Sequence, residues 1–269
     1  MVYARVEVRL IDFIMSDPVV STSIGYGDQS YWEKRYIDLL DLTYDWYMQW
    51  NDIKNILIPL INSTQQHNNH TSPNTDANTT ATTTTDSITD ISSNTINNHT
   101  INNHTQSTAP SATPRILVLG CGNSTLSADM LSDGYIDITS VDYSDTVINA
   151  CNKRYAQQCQ QHNKYKYINA DVRNLNNNQL FASSTYDVIF DKGTLDSILC
   201  GVDSTKHSQS MLSECSRLLK PNGIYICITY GAPQNRTSIL NKAKYNWSVE
   251  DQSLNNSRYM YICRRHKQT

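Results

Sequence analysis

The stretch that decides the fold reads "RILVLGCGNSTLS" and occupies residues 115–127. An apolar run over residues 116–119 leads directly into Gly120, Cys121 and Gly122, and a helix-compatible sequence follows. Glycines at such a point let the backbone come close to a ligand, and the first helical turn offers free N–H groups. The stretch therefore predicts a strand–turn–helix unit that binds a nucleotide-like ligand. The alternative is a tight turn without a ligand.

The sequence around this unit alternates between strand and helix patterns. Strands are predicted at residues 115–119, 136–141, 165–169, 188–190, 224–229 and 259–263. Helices are predicted at residues 125–131, 145–159 and 209–219, and a turn at residues 220–223. Alternation of this kind is typical of an α/β protein with a mostly parallel sheet and helices on both faces.

Two amphipathic helices are predicted upstream of the alternating region. Ser30 and Glu33 form a capping-box pattern at the start of the first helix. Its apolar face consists of Trp32, Tyr36 and Leu40. The apolar positions of the second helix recur at helical spacing and are Trp46, Trp50, Ile53, Leu57 and Leu60. Pro59 predicts the end of this second helix.

Composition divides the chain into four segments. Residues 1–25 form an N-terminal extension that matches no recognised pattern, and residues 26–61 carry the two helices. Residues 62–113 are rich in Asn, Thr, Ser and His, so they cannot bury enough apolar surface to offset the entropy of ordering. We therefore predict a disordered insertion there, and a Rossmann-like core over residues 114–269. The histidines of the insertion fit polar low-complexity sequence better than a metal site.

The bulk composition excludes several classes of function. The net charge is −3 and the chain has no long basic run, which opposes general nucleic-acid binding. None of the seven cysteines forms a Cys-x-x-Cys pair or lies at zinc spacing from histidines, and Cys121, Cys200 and Cys227 are predicted to be buried thiols. No window is apolar enough to span a bilayer, and charges interrupt the first fifteen residues. These features predict a soluble cytoplasmic protein without a metal, a membrane or a nucleic-acid partner.

Acidic residues follow the later strands of the predicted sheet. Asp142 lies about twenty residues past the glycines, where an acid accepts from ribose hydroxyls; alternatively it caps the next helix. Asp171 could accept from an adenine amino group, with the Val172 backbone beside the ring. Thr125 stands where a dinucleotide fingerprint has its third glycine, which favours a cofactor without a pyrophosphate. This order of strand ends, closed by "DKGTLDSI" at residues 191–198, predicts S-adenosylmethionine.

Six motifs together resemble one family. They are "SYWEKRY", "YDWY", "ILVLGCGNSTLS", "VDYSDTVI", "ADVRNL" and "DKGTLDSILC". The chain resembles the small eukaryotic class I protein-lysine methyltransferases, which include the lysine methyltransferases of elongation factor 1-alpha and of mitochondrial citrate synthase. The resemblance covers residues 28–230 apart from the insertion. It implies a Rossmann-like, mostly parallel seven-stranded sheet with an N-terminal helical lid, and S-adenosylmethionine-dependent methylation of a lysine in a protein substrate, such as elongation factor 1-alpha.

The resemblance also implies roles for individual residues at the cofactor. Gly120 would line the methionine and ribose part, next to Gly122 of the glycine pair. Asp142 and Tyr143 would hold the ribose and flank the adenine. The adenine itself would lie against Asp171 and Val172, and Lys192 would contact the cofactor. Aromatic residues of the lid would close the site, although their spacing alone favours core packing; they are Trp32, Tyr36 and Tyr44.

The catalytic group and the substrate class stay open at the level of sequence. Asp196 is a candidate general base because of its location; the alternative is that it starts a helix over residues 195–199. A small-molecule or nucleic-acid methyltransferase is a second hypothesis, although no Asn/Asp-Pro-Pro-Tyr/Phe motif follows the fourth strand. A catalytically silent binding protein on the same fold is a third.

Overall fold

The structure is a computed structural model that describes residues 25–66, 113–176, 179–255 and 257–267. The N-terminal extension up to residue 24 and the predicted insertion from residue 67 to residue 112 lie outside the described residues. The chain forms a seven-stranded sheet whose strands are, in chain order, β1 (Ile116–Leu119), β2 (Ile138–Asp142), β3 (Lys166–Asn169), β4 (Tyr186–Lys192), β5 (Leu219–Thr229), β6 (Trp247–Leu254) and β7 (Arg258–Arg265).

The spatial order of the strands is β3-β2-β1-β4-β5-β7-β6. Strands β1 to β5 are parallel, whereas β7 pairs antiparallel with β5, and β6 pairs antiparallel with β7. Parallel strands bring their carboxyl ends to one edge, and the chain turns in opposite directions after β1 and β4, so a crevice opens there. The strand order confirms the predicted class I methyltransferase fold with a mostly parallel sheet.

Helices cover both faces of the sheet. They are α1 (Gln29–Asp38), α2 (Trp50–Gln66), α3 (Leu126–Ser132), α4 (Asp145–Arg154), α5 (Ala156–Gln161), α6 (Thr194–Leu199), α7 (Ser204–Leu218) and α8 (Pro233–Leu240). Alternate residues of β1 show why both faces are needed. Ile116 and Val118 belong to the apolar core that contains α2 and α3 residues, whereas Leu117 and Leu119 belong to the core that contains α7 residues. None of the described helices is long and apolar enough to cross a membrane.

The first two helices differ from the predictions in their ends. Asp28, rather than Ser30, is the N-cap residue of α1, and Leu40 lies beyond its end with 44% of its surface exposed. Helix α2 begins at Trp50, so Trp46 precedes it, and it continues through Pro59 to Gln66. Pro59 therefore does not end the helix, and residues 62–66, which the sequence assigned to the insertion, are helical. Burial of the apolar face of α2 in the core outweighs the proline penalty.

Later elements also depart from their predicted bounds. The helix predicted at residues 145–159 is split at Tyr155, whose ring stacks on Tyr167 with centroids 5.5 Å apart. Residues 220–223 lie within β5, where the register jumps from Leu219 to Ile224, so the predicted turn is a bulge in the strand. Strand β6 was not predicted because "WSVEDQSL" is polar and mostly exposed at a sheet edge.

The predicted lid spans residues 26–61, but α2 packs in the apolar core. We reserve the name lid for residues 25–49, which comprise α1 and the loop that follows it. Hydrogen bonds join the lid to the segments that follow β1 and β2, and the lid residues act both as donors and as acceptors. The Asn123 side-chain amide donates to the Leu42 carbonyl at 3.0 Å, and the Tyr44 N–H donates to the Asn123 carbonyl at 3.2 Å. Glu33 of α1 accepts from the first N–H of α4, at Asp145. The lid therefore covers the edge of the sheet where the crevice lies.

Candidate active site

A cavity of about 340 Å³ lies between the lid and the carboxyl ends of β1 to β4. This volume falls within the range of small-molecule sites, roughly 300–1,000 Å³. All ten residues predicted to bind the cofactor line it: Trp32, Tyr36, Tyr44, Gly120, Gly122, Asp142, Tyr143, Asp171, Val172 and Lys192. The candidate base Asp196 lines it as well. Residues from all six quoted sequence motifs thus converge on one cavity.

The glycine pair shapes the cavity wall at the end of β1. Gly120 has a φ of +50°, and a Cβ atom there would collide with the side chain of Thr194. Gly122 has a φ of +51°, and its Cβ would lie 2.8 Å from the Tyr36 hydroxyl oxygen. Only glycine fits both the left-handed backbone and the narrow space. The two glycines therefore let the side chains of Thr194 and Tyr36 pack directly on the backbone of the cavity wall.

The Asp142 carboxylate ties the ends of β1 and β2 together. Its Oδ2 accepts from the Gly122 N–H, and its Oδ1 accepts from the Ser144 N–H, both at 3.0 Å. Burial raises the pKa of this carboxyl to about 6, although the two backbone donors oppose the shift. The alternative prediction, that Asp142 caps the next helix, is wrong. Ser144 is the N-cap residue of α4 and accepts from Val147.

Asp171, after β3, is held by a bidentate ion pair. The Arg173 guanidinium donates Nε to Oδ1 at 2.8 Å and Nη2 to Oδ2 at 2.7 Å. Burial alone would raise the pKa of Asp171, but the hydrogen bonds and the charge of Arg173 lower it overall. The carboxylate is therefore ionised and fixed in direction beside Val172, at the edge of the cavity.

Lys192 forms a buried ion pair that links the sheet to the lid. Its Nζ donates to Asp45 Oδ1 at 2.9 Å and to the Trp46 carbonyl at 3.0 Å. Both charged side chains are only 6% exposed. Burial lowers the pKa of Lys192 despite the attraction of Asp45, and the pKa of Asp45 is lowered because Lys192, Ser124 and Thr125 outweigh its burial. Asp45 was missed in the sequence although it lies within the quoted "YDWY" motif.

The lid aromatics form a cluster over the cavity. The rings of Trp32 and Tyr36 stack with centroids 5.7 Å apart, and Trp46 meets Trp32 edge-on at 6.0 Å. The Trp32 indole N–H donates to the Tyr26 carbonyl at 2.7 Å, which fixes the ring against the entry of α1. Trp32 and Tyr36 therefore both belong to the core and face the cavity, so the two alternative predictions for them are compatible.

Asp191, rather than Asp196, holds the start of α6. It is fully buried near the end of β4, does not line the cavity, and accepts from the first N–H groups of α6, at Thr194 and Leu195. Asp196 does not start the helix. Instead its carboxylate accepts from the hydroxyl of Tyr47 at 2.6 Å and from the guanidinium of Arg236. Of the two acids, only Asp196 lines the cavity.

The described residues around the cavity favour neither a reactive cysteine nor a metal site. Cys121 lines the cavity, but burial raises the pKa of its thiol well above the ordinary value, so it stays protonated. Cys121 and Cys227 are buried as predicted, whereas Cys200 is exposed because it lies at the end of α6. Across the described ranges, no three His, Cys, Asp or Glu side chains are grouped so that they could hold a metal ion.

Comparison with known proteins supports a single family. Residues 111–266, more than half of the chain, match the family model described as a methyltransferase domain. A Bos taurus protein named EEF1A lysine methyltransferase 4 is 40% identical over 150 residues, which cover 53% of this chain and 56% of that protein. The Mus musculus protein of the same name is 36% identical over 161 residues, covering 57% of this chain and 60% of that protein.

A third relative is the Homo sapiens mitochondrial citrate synthase-lysine N-methyltransferase, 29% identical over 157 residues, which cover 54% of this chain and 64% of that protein. The chain spans 56% to 64% of the length of these three relatives. They come from the two groups of lysine methyltransferases that the sequence motifs resemble. The family match, together with the strand order, also confirms the predicted cofactor, S-adenosylmethionine. The chain therefore belongs to the methyltransferase-domain family.

Proposed function

We propose that this chain is an S-adenosylmethionine-dependent protein-lysine N-methyltransferase that acts in the cytoplasm on a lysine of elongation factor 1-alpha or a similar protein. The observation that carries the proposal is the convergence of the glycine pair, two strand-end carboxylates and the lid aromatics on one cavity. The names of the two relatives that are 40% and 36% identical support the class of acceptor.

The described residues fit the proposed cofactor in shape and in chemistry. Gly120 and Gly122 offer a backbone surface, and Asp142 offers carboxylate oxygens for ribose hydroxyls. Asp171 and Val172 lie where an adenine amino group and ring would meet them. Trp32 and Tyr36 would cover the ligand from the lid side. These contacts remain predictions about each residue.

The proposed reaction is direct transfer of a methyl group to a lysine amine. When bound, the cofactor would supply an electrophilic methyl group on a positively charged sulfur. The lysine amine would form the N–C bond with its lone pair as the S–C bond breaks, and the electron pair of that bond would leave with sulfur. The methylated ammonium then loses a proton to water. Because a free lysine has a pKa near 10.4, the amine must be deprotonated before transfer. An apolar lining favours the neutral form.

The proposal can be tested with labelled S-adenosylmethionine, the full chain and purified elongation factor 1-alpha. We expect the label on a lysine of that protein, located by mass spectrometry. Label in a pool of metabolites but not in protein would instead indicate a small-molecule methyltransferase. Absence of cofactor binding in calorimetry would indicate a silent binding protein. Cell fractionation tests the proposed location.

Cofactor binding is expected to depend on pH through Asp142. Its pKa of about 6 lies above the usual value of about 3.9, so the carboxylate is the main form only above pH 6. Ribose hydroxyls donate to the ionised form, so the dissociation constant should rise about tenfold per pH unit below pH 6. The dissociation constant should not change with pH above about pH 7. Calorimetric titrations across this range measure the slope.

The matched control for the pH dependence is Asp142→Asn. This variant keeps the shape of the side chain but cannot titrate, so its weak binding should not change across the same range. A wild-type dissociation constant that is flat from about pH 5 to pH 8 would show that the carboxylate does not bind the cofactor.

A further inference from the structure

Tyr47 stands at the mouth of the cavity in an unusual backbone conformation. Its φ is +70°, a strained region that non-glycine residues seldom adopt and that persists only where the surroundings enforce it. Its ring packs against Gly193, where an added Cβ would lie 3.2 Å from the ring. Strained residues of this kind cluster at functional sites, so the position of the Tyr47 hydroxyl requires an explanation.

The Asp196 carboxylate enforces that position. Its Oδ2 accepts from the Tyr47 hydroxyl at 2.6 Å and from the Tyr230 N–H at 3.2 Å. Its Oδ1 accepts from the Thr229 hydroxyl at 2.5 Å and from Arg236 at 2.6 Å. Both oxygens therefore already hold two donors each. A carboxylate engaged in this way is poorly suited to remove a proton from a substrate.

Two charged side chains near Tyr47 are already paired. Asp196 is neutralised by Arg236, and both side chains are about 15% exposed or less. Lys192 is neutralised by Asp45 close by. Asp191 also acts on Tyr47, but it is fully buried and does not line the cavity. A charged ammonium at this end of the cavity would therefore meet no unpaired carboxylate, whereas a neutral amine needs none. Burial and the neighbouring Asp196 raise the pKa of Tyr47, so its hydroxyl stays protonated and donates to Asp196.

Tyr230 forms the other side of the mouth. Its ring meets the Tyr47 ring edge-on, with centroids 4.6 Å apart, and the residue is 53% exposed. Arg258 lies over the Tyr230 ring at 5.5 Å from its centroid and supports it from outside. The two tyrosine rings thus line a path from solvent to the cavity that contains the glycine pair.

We propose that Tyr47 and Tyr230 form the acceptor subsite, in which the Tyr47 hydroxyl oxygen receives a hydrogen bond from the neutral amine of the substrate lysine. This inference rests on the proposed function and specifies its acceptor site. Because the Tyr47 proton is committed to Asp196, the oxygen offers a lone pair to an N–H of the amine, which leaves the nitrogen lone pair free to attack. Asp196 is a positioning residue that acts through Tyr47, rather than the general base considered from sequence.

The test uses the full chain, S-adenosylmethionine and elongation factor 1-alpha. Tyr47→Phe should lower kcat at least about tenfold, the usual effect of losing one positioning hydrogen bond, and should leave the cofactor dissociation constant within about twofold. Asp196→Asn should lower kcat by a similar factor. The double variant should have a kcat no lower than that of the more impaired single variant, because both substitutions disrupt the same Tyr47–Asp196 pair. Tyr31 meets the Trp32 ring edge-on, with centroids 5.3 Å apart, and does not line the cavity. Tyr31→Phe is therefore the matched control and should have the kcat and the cofactor affinity of wild type.

A separate experiment tests the role of Tyr230 at the mouth of the cavity and measures the affinity for the protein substrate. Tyr230→Ala should raise the KM and the directly measured dissociation constant of elongation factor 1-alpha about tenfold, and Tyr230→Phe should restore both. Thermal denaturation verifies that each variant is folded. The inference is overturned if Tyr47→Phe and Tyr230→Ala keep wild-type constants. It is also overturned if the kcat of Asp196→Asn falls about a thousandfold while the kcat of Tyr47→Phe equals that of wild type, which is the pattern expected of a general base.

Failure of the proposed function has a different signature. In that case wild type itself binds S-adenosylmethionine but labels no protein, and the inference falls with it. Failure of the acceptor subsite alone leaves wild-type labelling of elongation factor 1-alpha intact.

Discussion

Replacing Asp142 by alanine is expected to weaken S-adenosylmethionine binding at least about 100-fold and to remove methyl transfer. The carboxylate would bind the ribose, and it also accepts from the Gly122 and Ser144 N–H groups. Charge-assisted hydrogen bonds contribute about 1.5–3 kcal/mol each, so losing the ribose contact and loosening both turns gives an effect of this size. Calorimetry measures the affinity, and a labelling assay measures the transfer.

Asp137 offers the control for this experiment because it lies at the opposite end of the same strand, just before β2. It is half of two ion pairs, with Arg115 at 3.7 Å and Lys164 at 3.4 Å, away from the cavity. Asp137→Ala should change the melting temperature slightly and the cofactor affinity not at all. Equal affinities for Asp142→Ala and wild type would mean that Asp142 only shapes the backbone.

Replacing Lys192 by methionine is expected to lower the free energy of unfolding by about 3–5 kcal/mol, the usual cost of leaving one member of a buried ion pair unpaired. Asp45 would keep its hydrogen bonds from Ser124 and Thr125 but lose its only ion-pair partner among the described residues. Because Asp45 belongs to the lid and Lys192 to β4, the lid should also open more often. Urea denaturation and hydrogen exchange of the lid amides measure the two effects.

Two further variants show whether the buried charge is the cause. In the double variant Lys192→Met/Asp45→Asn no charge is left unpaired, so most of the lost stability should return. Lys54→Met breaks an ion pair with Asp133 whose side chains are about 30% exposed, and should cost less than about 1 kcal/mol. A Lys192→Met variant no less stable than Lys54→Met would contradict the role assigned to the buried pair.

The sheet could be predicted from sequence because its central strands are buried on both faces. Continuous apolar runs such as residues 116–119 and 224–229 leave few alternatives, and the structure places strands on both. Strand β6 could not be found in this way. Its polar residues form a strand only because β7 lies beside it, and pairing between strands is not visible in local periodicity.

The cavity lining could be predicted where the chemistry lies at strand ends. Gly120, Asp142 and Asp171 each follow a recognisable strand, and the order of the strands brings them together. Asp45 and Tyr47 lie within the "YDWY" motif, but nothing in the local sequence assigns them a role, and Arg236 belongs to no motif. Asp45 is 147 residues away from Lys192 in sequence, and only the folded lid brings the two together.

The different roles of Asp191 and Asp196 could not be predicted from sequence for another reason. Both acids flank the same turn, and sequence alone cannot tell which of them turns toward the helix. Gly193 adopts a φ of +92°, and the carboxylate of Asp191 then meets the first N–H groups of α6. Asp196 is left in the first turn with its side chain directed to Arg236 and Tyr47. The turn at Gly193 therefore accompanies the division in which Asp191 holds α6 and Asp196 faces the cavity.

The place of β7 between β5 and β6 decides what an incomplete sheet exposes. Strand β6 joins the sheet through β7, so it has no strand to pair with until β7 is in place. Without β7, β5 presents an open edge, and its residues from Ile224 to Ile228 are fully buried in the finished protein. An exposed apolar edge is a template for pairing with other chains. The partly folded protein is therefore most prone to aggregate while β7 is detached from β5.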